Sequence, residues 1–202
     1  MKRAGFVLAG GASSRMGRDK ALLPYGRATL IEHVAAQVAA AAGSAALVGP
    51  PARYARLGYP VIPDCFRGGG PLAGIQAALA ASPAQWNLVV ACDMPGVTAE
   101  FLQELLAAAE ASGAEALVPQ WPRGWVEPLC AVYRRELAAP LREALRRGER
   151  KAAAALAALR VAWWPIREPS YFENLNTPRQ WARRRQARVQ LPHASLLSAG
   201  AP

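Results

Sequence analysis

The stretch Leu8-Ala9-Gly10-Gly11-Ala12-Ser13-Ser14-Arg15-Met16-Gly17-Arg18-Asp19-Lys20 follows the first apolar run of the chain. Its glycines permit close approach of the backbone, so successive N–H groups can turn toward phosphate oxygens while Arg15 and Lys20 neutralise their charge. These residue types suit the binding of a nucleoside triphosphate. The spacing is not that of a P-loop, because Gly17 is followed by Arg18 rather than by Lys and then Ser or Thr. It is not the G-x-G-x-x-G dinucleotide turn either. A plain soluble glycine turn is the competing reading, and the two cations weigh against it.

A second chemical signal is Trp86-Asn87-Leu88-Val89-Val90-Ala91-Cys92-Asp93-Met94-Pro95, a buried strand that delivers a carboxylate at its end. Mg²⁺ takes one or two carboxylates and completes its shell with water and substrate phosphates, which makes Asp93 the candidate metal ligand. A turn or N-cap aspartate is the alternative. Asp64, after Val61-Ile62-Pro63, sits at another strand end and is a candidate to touch the base, the ribose or the metal. It precedes Gly68-Gly69-Gly70-Pro71-Leu72-Ala73-Gly74-Ile75, a glycine run that opens a helix whose N-terminus favours an anion.

Placing these groups together requires strands that end on one side. Short β-rich runs at residues 5–8, 46–48, 61–62, 88–92 and 116–118 alternate with helical patterns, which predicts βα units and a mostly parallel sheet. In such sheets ligands sit outside the carboxyl ends of the strands. Thr29 is the expected cap of a helix through Ala42, and Thr98 of one through Ala111, with Gly43 and Gly113 as stops. A third helix follows Pro71, because Leu72, Ile75, Ala78 and Leu79 share a face. In the second half, residues 128–133 and 161–166 read as strands and residues 134–147 and 151–159 as helices. Pro178 is placed to open a last helix.

The 202 residues suffice for one sizeable core, here expected as one domain over residues 1–188, its first half for the nucleotide and its second for the acceptor. Residues 189–202 lack periodicity and are expected to be a disordered tail. No apolar run reaches the roughly 18 residues of a membrane span. Cys65, Cys92 and Cys130 are odd in number and widely spaced, which argues against disulfides or a zinc site and for reduced thiols in a cytoplasmic protein. The net charge of +10 suits phosphorylated small molecules as well as polyanions. Nucleic acid is the weaker partner, since aromatics are not interleaved with the basic residues. Arg183-Arg184-Arg185 with Arg188 reads best as a solvated helix face. Trp121, Trp125, Trp163 and Trp164 either stack on a ring or pack the second half, and packing is the preferred reading.

Taken together, the motifs resemble the molybdenum cofactor guanylyltransferase family over the chain to about residue 185. The resemblance is carried by Leu8-Ala9-Gly10-Gly11, Ser14-Arg15-Met16-Gly17, Asp19-Lys20-Ala21-Leu22-Leu23, Gly70-Pro71-Leu72-Ala73-Gly74-Ile75, Cys92-Asp93-Met94-Pro95 and Glu127-Pro128-Leu129. Phe172-Glu173-Asn174-Leu175-Asn176-Thr177-Pro178 completes the set. It implies an α/β, Rossmann-like sheet flanked by helices, of the nucleotide-diphospho-sugar transferase type. It further implies that Leu8, Ala9, Gly10 and Gly11 meet the nucleotide, that Lys20 and Arg15 bind its phosphates, that Asp64 helps hold it, and that Asp93 binds Mg²⁺ and nucleotide. Gly70, Pro71, Leu72, Gly74, Asn174, Asn176 and Thr177 are implied to lie near a pterin, although those asparagines read equally as a turn and helix cap before Pro178. The family often carries an asparagine after the second strand, where this chain has Leu47-Val48-Gly49-Pro50-Pro51.

The reaction so implied moves GMP from GTP to the terminal phosphate of Mo-molybdopterin, with transient contacts to other cofactor-synthesis proteins or a molybdoenzyme chaperone. A phosphate is already ionised near neutral pH, so no general base is needed, and His33 and His193 are expected to be ordinary surface or packing residues. CTP-using relatives tend to have Leu-Ala-Ala-Gly where this chain has Leu8-Ala9-Gly10-Gly11. A cytidylyltransferase, a nucleotidyltransferase for another small phosphorylated metabolite, and a basic nucleic-acid- or protein-binding module are the rival readings.

Overall fold

A computed structural model describes residues 2–9, 19–66, 68–157 and 159–173. Its strands are β1 (Arg3–Leu8), β2 (Pro24–Tyr25), β3 (Ala28–Thr29), β4 (Ala46–Val48), β5 (Val61–Ile62), β6 (Trp86–Ala91), β7 (Ala116–Gln120), β8 (Cys130–Arg134) and β9 (Val161–Pro165). The α-helices are α1 (Leu30–Ala42), α2 (Pro51–Tyr54), α3 (Gly70–Ala81), α4 (Ala99–Ser112), α5 (Ala138–Arg146) and α6 (Ala152–Leu156). The expected helix after Pro178 and the tail lie outside the described residues.

Seven strands form one sheet in the order β5-β4-β1-β6-β8-β7-β9, and β2 pairs with β3 in a small separate hairpin. The pairs β4–β5, β1–β4, β1–β6 and β7–β9 are parallel, whereas β8 runs antiparallel to both β6 and β7. The sheet is therefore mostly parallel, as expected, with one reversed strand inserted.

Two layers of helix cover the sheet. Val7, Leu88 and Val90 face Ile31, Val34 and Val38 of α1 and Leu102 and Leu105 of α4. On the other face, Phe6, Leu8 and Val89 pack with Leu72, Ile75 and Leu79 of α3 and Leu141 and Leu145 of α5. Burial on both faces is why β6 reads as a continuous apolar run. Its one polar member, Asn87, is fully buried and donates to the carbonyls of Ala84 and Tyr133. Gly5 lets α1 close onto β1: a Cβ there would lie 2.6 Å from the Ser44 carbonyl oxygen.

Local chemistry fixes the helix ends. Thr29 and Glu32 form a reciprocal capping box at α1, Thr98 caps α4, and Gly43 and Gly113 close both helices in the left-handed conformation. In the second half the elements are shorter than the sequence suggests. Arg134 belongs to β8, and α5 begins only at Ala138, after a 3₁₀ turn over Arg135–Leu137. Pro140 has no N–H to donate, so it is tolerated only in a first helical turn. Pro128 and Leu129 instead form a turn closed by Cys130 N–H donating to Glu127, so β8 starts at Cys130. Trp121 and Trp164 are partly buried against the core, as the packing reading expects, but Trp125 and Trp163 are exposed. Trp163 lies on β9, which among the described residues has only β7 as a neighbouring strand.

Candidate active site

The carboxyl ends of β1, β4, β5 and β6 open onto a cleft of about 810 Å³. Backbone hydrogen bonds continue past the strands and lock these ends together. Ala9 N–H donates to Val48, Gly49 N–H to Ile62, and Cys92 N–H to Leu8. The ladder thereby aligns the entry to the glycine loop with the turn that carries Asp93.

Asp93 follows β6 in a turn closed by Met94 N–H donating to Ala91, and Met94 and Val97 anchor that turn in the core. Its carboxylate accepts from the Lys20 ammonium at 2.6 Å, with 16% of the Asp93 side chain and 25% of the Lys20 side chain exposed. The two chemical signals of the sequence thus meet in one half-shielded ion pair on the cleft wall. A carboxylate oxygen already set against a cation is the donor type a hard divalent ion takes. No group of three or more His, Cys, Asp or Glu side chains suited to a metal occurs among the described residues. The Asp93 carboxylate is a donor suited to a hard divalent cation that takes its remaining positions from water and phosphate oxygens.

Asp19 sets the approach of Lys20, a role the sequence did not disclose. One Asp19 oxygen caps the 3₁₀ turn Lys20–Leu22 by accepting from Ala21 N–H at 3.1 Å. The other accepts from the Tyr54 hydroxyl at 2.8 Å and lies 3.4 Å from Arg53. Tyr54, almost fully buried, also reaches the Ala9 carbonyl at 3.1 Å, so its single proton is shared between two acceptors. Burial, reinforced by the neighbouring Asp19 charge, holds the Tyr54 phenol well above its usual range, and it stays a neutral donor. Tyr54→Phe is expected to cost about 1–3 kcal/mol of stability, because both acceptors lose a buried donor. Denaturant unfolding checks this, and an unchanged midpoint would mean that Asp19 is held by other contacts.

Gly49 lies in the stretch after β4 where the resembled family often has asparagine. A Cβ there would lie 2.8 Å from the Ala9 carbonyl oxygen and 2.9 Å from the Tyr54 ring. The buried tyrosine thus leaves no room for a side chain at this position.

Asp64 is exposed on the cleft wall, and its carboxylate accepts from Phe66 N–H at 2.8 Å. Gly68 and Gly70 have positive φ, at +70° and +63°, conformations that suit glycine. They lead into α3, whose N-cap Gly69 offers no side-chain hydrogen bond to the first amides. Gly69, Gly70, Pro71 and Gly74 line the cleft, whereas the Leu72 side chain enters the core. Among the described residues expected near a pterin, Leu72 is therefore the one whose side chain is turned to packing. Gly74 lets α3 lie close on Leu8, which a Cβ would approach to 3.3 Å. Gly10, Gly11, Arg15, Asn174, Asn176 and Thr177 lie outside the described residues. His33 behaves as a packing residue, against Tyr25 and the Pro95 carbonyl.

A fold of this kind has known counterparts. A solved structure from Archaeoglobus fulgidus, molybdopterin-guanine dinucleotide biosynthesis protein A, matches with a TM-score of 0.81 and 30% identity, covering 93% of this chain and 100% of that one. The Thermus thermophilus 2-C-methyl-D-erythritol 4-phosphate cytidylyltransferase shares the fold at 20% identity, with a TM-score of 0.68 over 92% of this chain and 99% of that one. In sequence, the chain is 38% identical over 182 residues to a probable molybdenum cofactor guanylyltransferase of Trichormus variabilis, covering 87% of each. Residues 5–162, from within β1 into β9, match the family described as MobA-like NTP transferase domain, and the chain belongs to that family.

Proposed function

We propose that the chain transfers GMP from GTP to the terminal phosphate of Mo-molybdopterin, giving molybdopterin guanine dinucleotide and pyrophosphate. The observation that carries this reading is the Lys20–Asp93 pair at 2.6 Å, set in the cleft that the N-terminus of α3 also lines. An oxygen of the acceptor phosphate attacks the α-phosphorus, and the bond from that phosphorus to the pyrophosphate oxygen breaks in line. The acceptor is already an anion, so no proton has to be removed first.

Rate enhancement then comes from placement and charge. Asp93 would hold Mg²⁺, Lys20 would bind the phosphates, and Arg15 with the amides of Gly10 and Gly11 would take the remaining phosphate charge. The bound Mg²⁺ supplies charge neutralisation across the phosphate oxygens. The uncapped amides of α3 suit the acceptor's phosphate, since the first turn of a helix carries partial positive charge. Leu8 and Asp64 border the nucleotide.

The test is pyrophosphate release from GTP, CTP, ATP and UTP with Mg²⁺, in the presence and absence of Mo-molybdopterin. Release from GTP that depends on the acceptor is the expected result. Preference for CTP would assign cytidylyl transfer, and release that ignores molybdopterin would assign another acceptor.

A further inference from the structure

The connection between β7 and β8 forms a second pocket, about 460 Å³ in volume, walled by Trp121, Pro122, Arg123, Trp125, Val126 and Glu127. Small-molecule sites run from about 300 to 1,000 Å³. The loop is firmly built: Trp121 N–H donates to Trp125, Gly124 N–H to Trp121, and Glu127 N–H to Pro119. Gly124 makes the turn at a φ of +83°. The Trp121 indole donates to one Glu127 oxygen at 2.8 Å and meets Phe172 edge-on. The second Glu127 oxygen has no hydrogen bond among the described residues. Beside it, Trp125 is 75% exposed, a large apolar ring left open by the described residues.

The placement of this pocket follows from the sheet. Because β8 is antiparallel to both neighbours, β7 runs in the same sense as β6, and their connection emerges at the same edge as Asp93. Leu129, at the end of that connection, belongs to the wall of the main cleft. Burial first, and the Asp93 charge as well, raise the proton affinity of Glu127, so the two carboxylates sense each other. In the strand order, β1 and β4 lie on one side of β6, and β8 and β7 on the other. The glycine loop and the Val48–Pro51 wall take the nucleotide on the first side, which leaves the second for the acceptor.

We infer that this pocket holds the acceptor's fused heterocycle, with Trp125 stacked on its face and the Glu127 carboxylate accepting two N–H groups from its 2-amino-4-oxopyrimidine edge. The inference rests on the guanylyl-transfer reading and adds the acceptor's seat to it. Guanine carries the same edge, so the experiment must separate the two sources.

Binding of pterin, of lumazine (which lacks the 2-amino donor) and of guanosine is measured by calorimetry on the full chain, alongside GTP. Wild type is expected to hold pterin at least tenfold more tightly than lumazine. Glu127→Gln keeps an oxygen for Trp121 yet replaces the second acceptor with a donor, and it is expected to erase that preference. Trp125→Ala is expected to weaken pterin at least tenfold. GTP affinity stays within twofold in both variants, which also shows that they are folded. In turnover, the KM for the acceptor rises at least tenfold in each variant while the KM for GTP holds. An unchanged acceptor KM in an active enzyme overturns the inference and leaves guanylyl transfer standing. Guanosine displacing pterin, or GTP affinity lost in folded Glu127→Gln, assigns the edge to the nucleotide base and overturns it too. Wild type that neither binds pterin nor releases pyrophosphate removes both readings.

Discussion

Asp93→Ala is expected to lower acceptor-dependent pyrophosphate release by about 10³-fold, the scale of losing a charge-stabilising element at a transferring phosphoryl group. The carboxylate stands at the end of β6 on a turn anchored by Met94 and Val97, so its removal leaves the strand and its packing in place. The loss falls on kcat and on the concentration of Mg²⁺ needed for half-maximal rate, because the same oxygen that accepts from Lys20 is the proposed donor to the metal. Titration of Mg²⁺ against single-turnover release reads both. A rate within threefold of wild type, at unchanged metal requirement, would remove Asp93 from the mechanism.

Lys20→Ala is expected to reduce turnover by about 10²–10³-fold, or roughly 3–4 kcal/mol in the barrier. The ammonium is held at the mouth of the loop by the cap of Asp19 and by its pairing with Asp93, and a methyl group there delivers no charge to the phosphates. Lys20→Arg restores only part of the rate, since a planar fork does not replace a compact ammonium at one site. Because Lys20 and Asp93 are in contact, their double variant should fall short of the product of the single effects. Strict multiplicativity would mean that the two side chains act independently.

The residues that bear charge were legible in the sequence because glycine runs, strand-end carboxylates and helix caps leave local marks. Thr29 with Gly43, and Thr98 with Gly113, announce α1 and α4 before any contact is known. Tyr54 left no such mark. Its worth depends on Ala9 and Asp19, both far away in the chain, and α2 is only a single turn that no periodicity can reveal. The reversed direction of β8 was hidden for a related reason: alternation of residues gives a strand but not its partner or sense. Trp125 shows the same limit, since the apolar character that suggests packing says nothing of whether neighbours arrive to cover the ring.

The central pairing of the sheet joins residue 3 to residue 86, near opposite ends of its first half. During synthesis at about 5–20 residues per second, β1 therefore waits on the order of ten seconds for its partner β6. In that interval α1 and β4 can already dock on β1, but its other edge exposes a ladder of unpaired amides and carbonyls. The reversed strand β8 must then arrive before β6 is itself closed. Assembly in the cell is thus governed by when β6 leaves the ribosome, and a chain stalled just before Trp86 would present an open strand edge to chaperones or to another nascent copy.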